Sequence, residues 1–112
     1  SVSRVGPHLW PRICTAAENA WLESLSKEQQ SRLGALVFSA KEAFYKCQYT
    51  LTEAWVGFHD VELDPAACDL QNGRFALRPC VPLALEAQLA PPWSGRCLFE
   101  PDLVISGVAF AA

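Results

Sequence analysis

The spacing of the apolar residues changes at Gly57, and this change constrains the fold more than any other feature. Before Gly57, apolar side chains recur at intervals of three and four, the period of one long amphipathic helix. These residues are Leu33, Leu36, Val37, Ala40, Phe44 and Cys47. After Gly57, His59, Val61 and Leu63 alternate with acidic residues, which predicts a half-buried strand. A helical segment followed by strand-forming segments indicates an α+β fold.

The boundaries of the other elements follow from local signals. The sequences "TAAE" at 15–18 and "SKEQ" at 26–29 have the form of a capping box, so each predicts a helix start. The segments "NGRFALRP" at 72–79, "GRCLFE" at 95–100 and "LVISGVAFA" at 103–111 predict strands, the last one buried on both faces. We expect a tight turn at "EPD" and a short helical turn in "LALEAQLAPP".

These signals predict a single α+β domain over residues 1–112. Its helices, one of them long, would pack on an antiparallel sheet of about three to four strands. The composition agrees with a folded chain, since 51% of the residues are hydrophobic and 19% are charged. A net charge of -3 and the lack of a basic run argue against a nucleic-acid binder.

The sequence also bears on redox chemistry and localisation. Its five cysteines are odd in number and none forms a C-x-x-C pair, which argues against a disulfide framework and a zinc site. We expect reduced thiols in a cytoplasmic protein. No apolar run approaches the roughly 20 residues that a membrane-spanning helix needs, so no membrane partner is expected.

The segment "FSAKEAFYK", Phe38 to Lys46, places three charges in an otherwise apolar and aromatic run. On a helix Glu42 and Lys46 share a face, and Lys41 lies about 100° away from Glu42. One interpretation is an ordinary surface ion pair between Glu42 and Lys46, which spacing alone favours. The other is a carboxylate for Mg²⁺ beside two ammonium groups for phosphate oxygens.

The same segment resembles the signature of 4'-phosphopantetheinyl transferases, W/F-S-x-K-E-[AS]-x-x-K. Phe38 at the first position is typical of the larger, Sfp-like class and of its enterobactin-synthetase-D-like members. "PRICTAAENAWLESL" is similar to the segment that precedes the signature in that family, and "GFHDVELD" to the strand that follows it. The resemblance covers nearly all of the chain, and it corresponds to the C-terminal half of that pseudo-dimeric fold.

The resemblance implies a function and roles for three residues. The reaction would transfer the 4'-phosphopantetheine arm of coenzyme A to a serine of an apo acyl or peptidyl carrier protein, with Mg²⁺, and release 3',5'-ADP. Glu42 would be a catalytic residue and a Mg²⁺ ligand. Lys46 would contact the coenzyme A pyrophosphate and assist the leaving group, and Lys41 would be a further phosphate contact. Fatty-acid, polyketide and siderophore-forming peptide carriers would all be possible substrates.

The resemblance also implies a partner for this site. The family carries an Asp-x-Glu upstream of the signature, which this chain lacks, so the missing N-terminal half or a second chain would supply it. A start without Met likewise suggests a trimmed N-terminus. The alternative function is a non-catalytic half-domain that binds carrier proteins or dimerises.

Other candidate residues have simpler explanations. "DVE" at 60–62 matches Asp-x-Glu but lies downstream of the signature, and we interpret Asp60, Glu62 and Asp64 as a solvated strand face. Structural or surface roles are expected for the two histidines, and the capping box accounts for Glu18. The four tryptophans are expected to be core or interface anchors.

Overall fold

The structure, a computed structural model, describes residues 7–69, 71–83, 86, 90–100 and 103–108 of the 112-residue chain. Within these residues a group of helices precedes an antiparallel sheet. The helices are α1 (Trp10–Ile13), α2 (Ala16–Glu23) and α3 (Lys27–Thr52). The strands are β1 (Val61–Leu63), β2 (Arg74–Pro79), β3 (Trp93–Glu100) and β4 (Leu103–Val108).

The long helix α3 begins and ends where local chemistry favours it. Ser26 is the N-cap, and its hydroxyl accepts a hydrogen bond from the backbone N–H of Gln29 at 3.3 Å. At the other end Glu53 adopts a left-handed conformation, with φ of 55°, that reverses the chain. The apolar stripe predicted from the sequence is confirmed. Its members Leu33, Leu36, Val37, Ala40 and Phe44 are buried in the core, while Cys47 is half-buried.

The four strands follow one another in space as they do in the sequence, each antiparallel to the next. One face of this sheet packs against α3 through β1, β3 and β4. On β2, Phe75 and Leu77 point into the core, whereas Arg74 and Arg78 are exposed. The prediction of an α+β fold, with a long helix on an antiparallel sheet, is therefore confirmed.

The strand β1 is shorter than the alternation of residues 59–64 predicts. Asp60 forms a turn instead, in which its Oδ2 accepts a hydrogen bond from Gly57 N at 2.8 Å. The backbone N–H of Asp60 also donates to Gly57 O at 3.1 Å. Because this turn occupies residues 57–60, regular pairing with β2 covers only Val61–Leu63.

Several further expectations can be compared with the structure. The five cysteines are free thiols, and the described part of the chain contains no helix that is long and apolar enough to cross a membrane. Trp10 and Trp93 are core residues as expected, but Trp55 is 76% exposed and anchors no core. The predicted turn at "EPD" and most of the predicted helical turn at 83–92 lie outside the described residues.

Candidate active site

The signature segment occupies the middle of α3, and the chain that follows α3 folds back beside it. The side-chain amide of Gln48 donates to Ala54 O at 2.9 Å, and Thr52 Oγ1 donates to Gln48 Oε1 at 2.7 Å. These bonds secure the reversal that Glu53 begins. Residues 55–58 therefore run next to the helix segment that carries the three predicted site residues.

A pocket of about 100 Å³ lies between these two segments. The α3 side is formed by Lys41, Glu42, Phe44 and Tyr45, and the opposite side by residues 55–58 and Val61. Most of the lining is apolar or aromatic, and among the lining residues Glu42 is the one carboxylate. The signature residue Glu42 thus lies at an apolar pocket, where a charge interacts more strongly with a ligand than it would in open water.

Aromatic side chains surround the pocket and continue along the outer face of α3. The rings of Tyr45 and Trp55 meet edge to face with centroids 5.2 Å apart, and those of Phe38 and Phe58 stack at 5.8 Å. Tyr45 also packs against Tyr49, at 5.5 Å. Sequence reasoning assigned no role at the site to these rings. The sequence did contain a signal for this aromatic cluster: Tyr45 and Tyr49 lie on one helix face, and Trp55 and Phe58 follow just after the helix end.

Glu42 and Lys46 do not form the surface ion pair that their spacing allows. Glu42 is half-buried at the pocket and Lys46 is exposed. Neither side chain has a hydrogen-bond or ion-pair partner among the residues that the structure describes. Both charges are therefore free to bind a ligand, and the structure brings them to the same open side of α3.

Lys41 also lines the pocket, but its ammonium is held inside the protein, which does not favour the expected phosphate contact. Its side chain is 1% exposed, and its ammonium is 2.6 Å from Glu18 Oε1. The same ammonium donates to Ile13 O at 2.8 Å and to Phe58 O at 2.6 Å. An ammonium group has three N–H donors, so all of them are used inside the protein. No donor remains for a phosphate oxygen in this arrangement.

Glu18 has the capping role predicted for it, with a second role that the sequence did not indicate. Its Oε1 accepts a hydrogen bond from Thr15 N at 2.8 Å, and Thr15 Oγ1 accepts one from Glu18 N, which completes the capping box. Its Oε2 accepts a hydrogen bond from Leu63 N, at 2.7 Å, in β1. The carboxylate therefore joins α2 to α3 and to the sheet.

The acidic residues of the "DVE" segment are engaged in structural contacts. Glu62 accepts hydrogen bonds from Thr15 Oγ1 at 2.8 Å and from Arg78 Nε at 2.9 Å. Partial burial favours a higher pKa for Glu62, but the hydrogen bonds from Thr15 and Arg78, the positive charge of Arg78 and a contact with Cys80 together outweigh it, and the pKa lies below its usual range. Asp60 caps its own turn, and Asp64 lies 3.6 Å from Arg78. All three side chains are half-buried and engaged in structural contacts, and Asp60 lies in a turn, so the expectation of a solvated strand face is corrected.

The remaining polar candidates also have structural surroundings. His59 Nε2 is 2.8 Å from Pro11 O, and His8 is exposed. Burial and the nearby Glu18 carboxylate raise the pKa of the Cys14 thiol to about 11, so it is protonated at neutral pH. Across the described ranges, no three His, Cys, Asp or Glu side chains group closely enough to hold a metal ion. Glu42 therefore belongs to no such group among the described residues.

The chain is similar to proteins of one family over most of its length. Residues 1–90 match the family model of the 4'-phosphopantetheinyl transferase superfamily. Over 100 residues the chain is 30% identical to the 4'-phosphopantetheinyl transferase Npt of Nocardia iowensis. That alignment covers 84% of this chain and 44% of the relative, so the chain spans less than half of the relative's length. No solved structure matches the chain. Because the family model covers most of the chain, including the signature helix, the chain belongs to the 4'-phosphopantetheinyl transferase superfamily.

Proposed function

We propose that this domain takes part in the transfer of 4'-phosphopantetheine from coenzyme A to a serine of an apo carrier protein. In this reaction the serine Oγ forms a bond to the β-phosphorus of coenzyme A, and the bond from that phosphorus to the bridging oxygen breaks. The hydroxyl proton is released, and 3',5'-ADP leaves. One observation carries the proposal: in a member of this superfamily, Glu42 and Lys46 are unpaired and lie on the same open side of α3.

Lys46 is the residue that we assign to the pyrophosphate. It is exposed, one helical turn beyond Glu42, and its ammonium has no partner among the described residues. A lysine ammonium in this position binds a phosphate oxygen, and it offsets the negative charge that develops on the departing oxygen. This charge is larger in the transition state than in the bound substrate, so the contact lowers the barrier.

We assign Glu42 as one oxygen ligand of a divalent cation. Mg²⁺ binds through one or two protein carboxylates, with substrate phosphates and water completing the shell. A half-buried carboxylate without a partner, at the wall of a pocket, suits this role. When bound, the ion would neutralise charge on the pyrophosphate. A second carboxylate would come from outside the described residues, either from another part of the protein or from a second chain.

The transfer of labelled phosphopantetheine to an apo carrier protein, with coenzyme A and Mg²⁺, tests this function. Glu42→Gln and Lys46→Met should each lower kcat/KM on the order of 10²-fold, because each removes a charge that stabilises the transition state. Glu28→Gln and Lys27→Met change exposed charges in the first turn of the same helix, and they serve as matched controls that should leave the rate unchanged.

Two outcomes would contradict the proposal. Transfer by Glu42→Gln at the wild-type rate would remove the role of Glu42. Binding of the carrier protein by the wild-type chain without modification of its serine, with coenzyme A and Mg²⁺ in excess, would favour the non-catalytic binding module instead.

A further inference from the structure

The ion pair between Lys41 and Glu18 is the most deeply buried charged feature of the described residues, and substrate binding as proposed above does not use it. Both side chains are 1% exposed. Burial of two charges costs free energy that their attraction repays only when further hydrogen bonds satisfy both groups. Here they do, since Lys41 donates to two carbonyl oxygens as well as to Glu18.

The contacts of this pair reach the segments that line the pocket and also the two short helices α1 and α2. Ile13 O, at the end of α1, and Phe58 O, in the segment after α3, both accept from Lys41. Through Glu18 the pair also reaches the start of α2 and Leu63 N in β1. One pair of side chains therefore joins α1, α2, α3, the 55–58 segment and β1 by hydrogen bonds.

The position of Lys41 in the sequence connects this network to the site. Lys41 immediately precedes Glu42, and consecutive residues of an α-helix point about 100° apart. Because the Lys41 ammonium is held at three points in the core, the rotation of α3 about its axis is fixed there. Glu42 then has to point toward the pocket, and Lys46 lies one turn further along the same side.

The contact with Phe58 connects the network to the opposite wall of the pocket. Residues 55–58 contribute to the pocket lining, and the hydrogen bond from Lys41 to Phe58 O ties this segment directly to α3. Together with the ring contacts of Tyr45 with Trp55 and of Phe38 with Phe58, this hydrogen bond sets the gap between Glu42 and the residues facing it. Loss of that hydrogen bond would remove a direct polar contact between the two walls and leave the ring contacts to hold them.

We propose that Lys41 and Glu18 are positioning residues, which set the direction of Glu42 and the spacing of the pocket walls and do not contact substrate. This inference rests on the proposed function, because that function is what makes Glu42 a site residue. The contacts of Lys41 and Glu18 themselves do not depend on any activity. It assigns a lysine of the signature to the interior of the protein, and it leaves phosphate binding to Lys46.

The first test measures coupling between the two residues by thermal unfolding of the full chain. Lys41→Met leaves the Glu18 charge buried and unpaired, so it should lower the melting temperature by more than about 10 °C. The matched change Lys46→Met, at an exposed lysine of the same helix, should lower it by less than about 3 °C. In the neutral double variant Glu18→Gln/Lys41→Met, the melting temperature should fall by clearly less than the sum of the decreases measured for Glu18→Gln and Lys41→Met alone. Additive losses would overturn the pairing.

The second test asks whether the pair positions the site, using the double variant, which is expected to fold. Its NMR signals from the Gly57 and Phe58 amides and the Glu42 side chain should shift or broaden relative to wild type. The same signals should remain unchanged in a control at an exposed charge far from the pocket, Glu28→Gln. Unchanged signals in a folded double variant would overturn the positioning role, whether or not the protein catalyses transfer.

The third test separates positioning from substrate contact. In the transfer assay, the double variant should lose kcat by about tenfold or more, because small displacements of reacting groups cost large factors in rate. Its KM for coenzyme A should change by less than about threefold. A raised KM with unchanged kcat and unchanged stability would instead identify Lys41 as a phosphate contact. Failure of transfer in the wild type would contradict the proposed function alone, since the first two tests need no activity.

Discussion

At the scale of single residues, Glu62 lies in a sequence pattern that resembles a metal site, but its contacts are with other parts of the fold. Glu62 accepts hydrogen bonds from Thr15 in the N-cap of α2 and from Arg78 in β2. These contacts connect the helical layer with the sheet. An acidic residue in a D-x-E pattern is therefore a cross-link between elements here.

The lowered pKa of Glu62 predicts how stability depends on pH. A carboxylate whose pKa is lower in the folded protein stabilises the fold above its unfolded pKa, near 4.5, and loses that contribution as pH falls through the folded value. Glu62→Gln should therefore reduce the melting temperature at about pH 7 and much less at about pH 3. A difference between variant and wild type that stays constant over this range would contradict the assigned contacts.

Lys41 marks the limit of what could be predicted at this scale. A lysine next to a glutamate on an amphipathic helix is usually solvated, and the sequence analysis expected Lys41 to contact a phosphate. Its actual partners are Ile13 and Phe58, 28 and 17 residues away, and Glu18, 23 residues away. Such partners come together only in the folded chain, and no local spacing records them.

At the scale of elements, the strongest local signals predicted the structure well. The "TAAE" and "SKEQ" sequences lie at the starts of α2 and α3, because a hydroxyl that caps free N–H groups is a local property. The Asn-Gly turn before β2 was also predictable, since Gly73 has a φ of 64°. The extent of β1 could not be predicted in this way. The turn at Asp60 replaces strand pairing there, and the alternation of apolar and polar residues does not indicate which of the two forms.

The packing inside the sheet gives a prediction with a built-in control. A Cβ on Gly95 would come within 2.3 Å of the Phe75 ring and 2.7 Å of Gly107 O, whereas a Cβ on Gly107 would meet no atom within 4 Å. Gly95→Ala should therefore reduce the free energy of unfolding by about 1–3 kcal/mol through overpacking. Gly107→Ala should change it by no more than about 0.5 kcal/mol. Urea unfolding measures both, and equal effects would contradict the described approach of Phe75 to β3.

At the scale of the whole molecule, the fold gives the two faces of α3 different surroundings. The inner face of α3 carries the apolar stripe and Lys41, which hold the helix on the sheet and against α1 and α2. The outer face carries Glu42, Lys46 and aromatic residues around the pocket. The sequence indicated the signature, and the fold places its charged residues differently, with the Lys41 ammonium in the interior and Glu42 and Lys46 on the open side of α3. That division depends on the packing of all the elements together.

The central claim is that the outer face of α3 binds coenzyme A, and direct calorimetric titration tests it. Coenzyme A, with Mg²⁺, should bind the wild-type chain and the control Lys27→Met with equal affinity. Lys46→Met should weaken binding by about tenfold or more, because a charge-assisted hydrogen bond contributes about 1.5–3 kcal/mol. The absence of binding to the wild type, or equal binding by Lys46→Met, would contradict the claim.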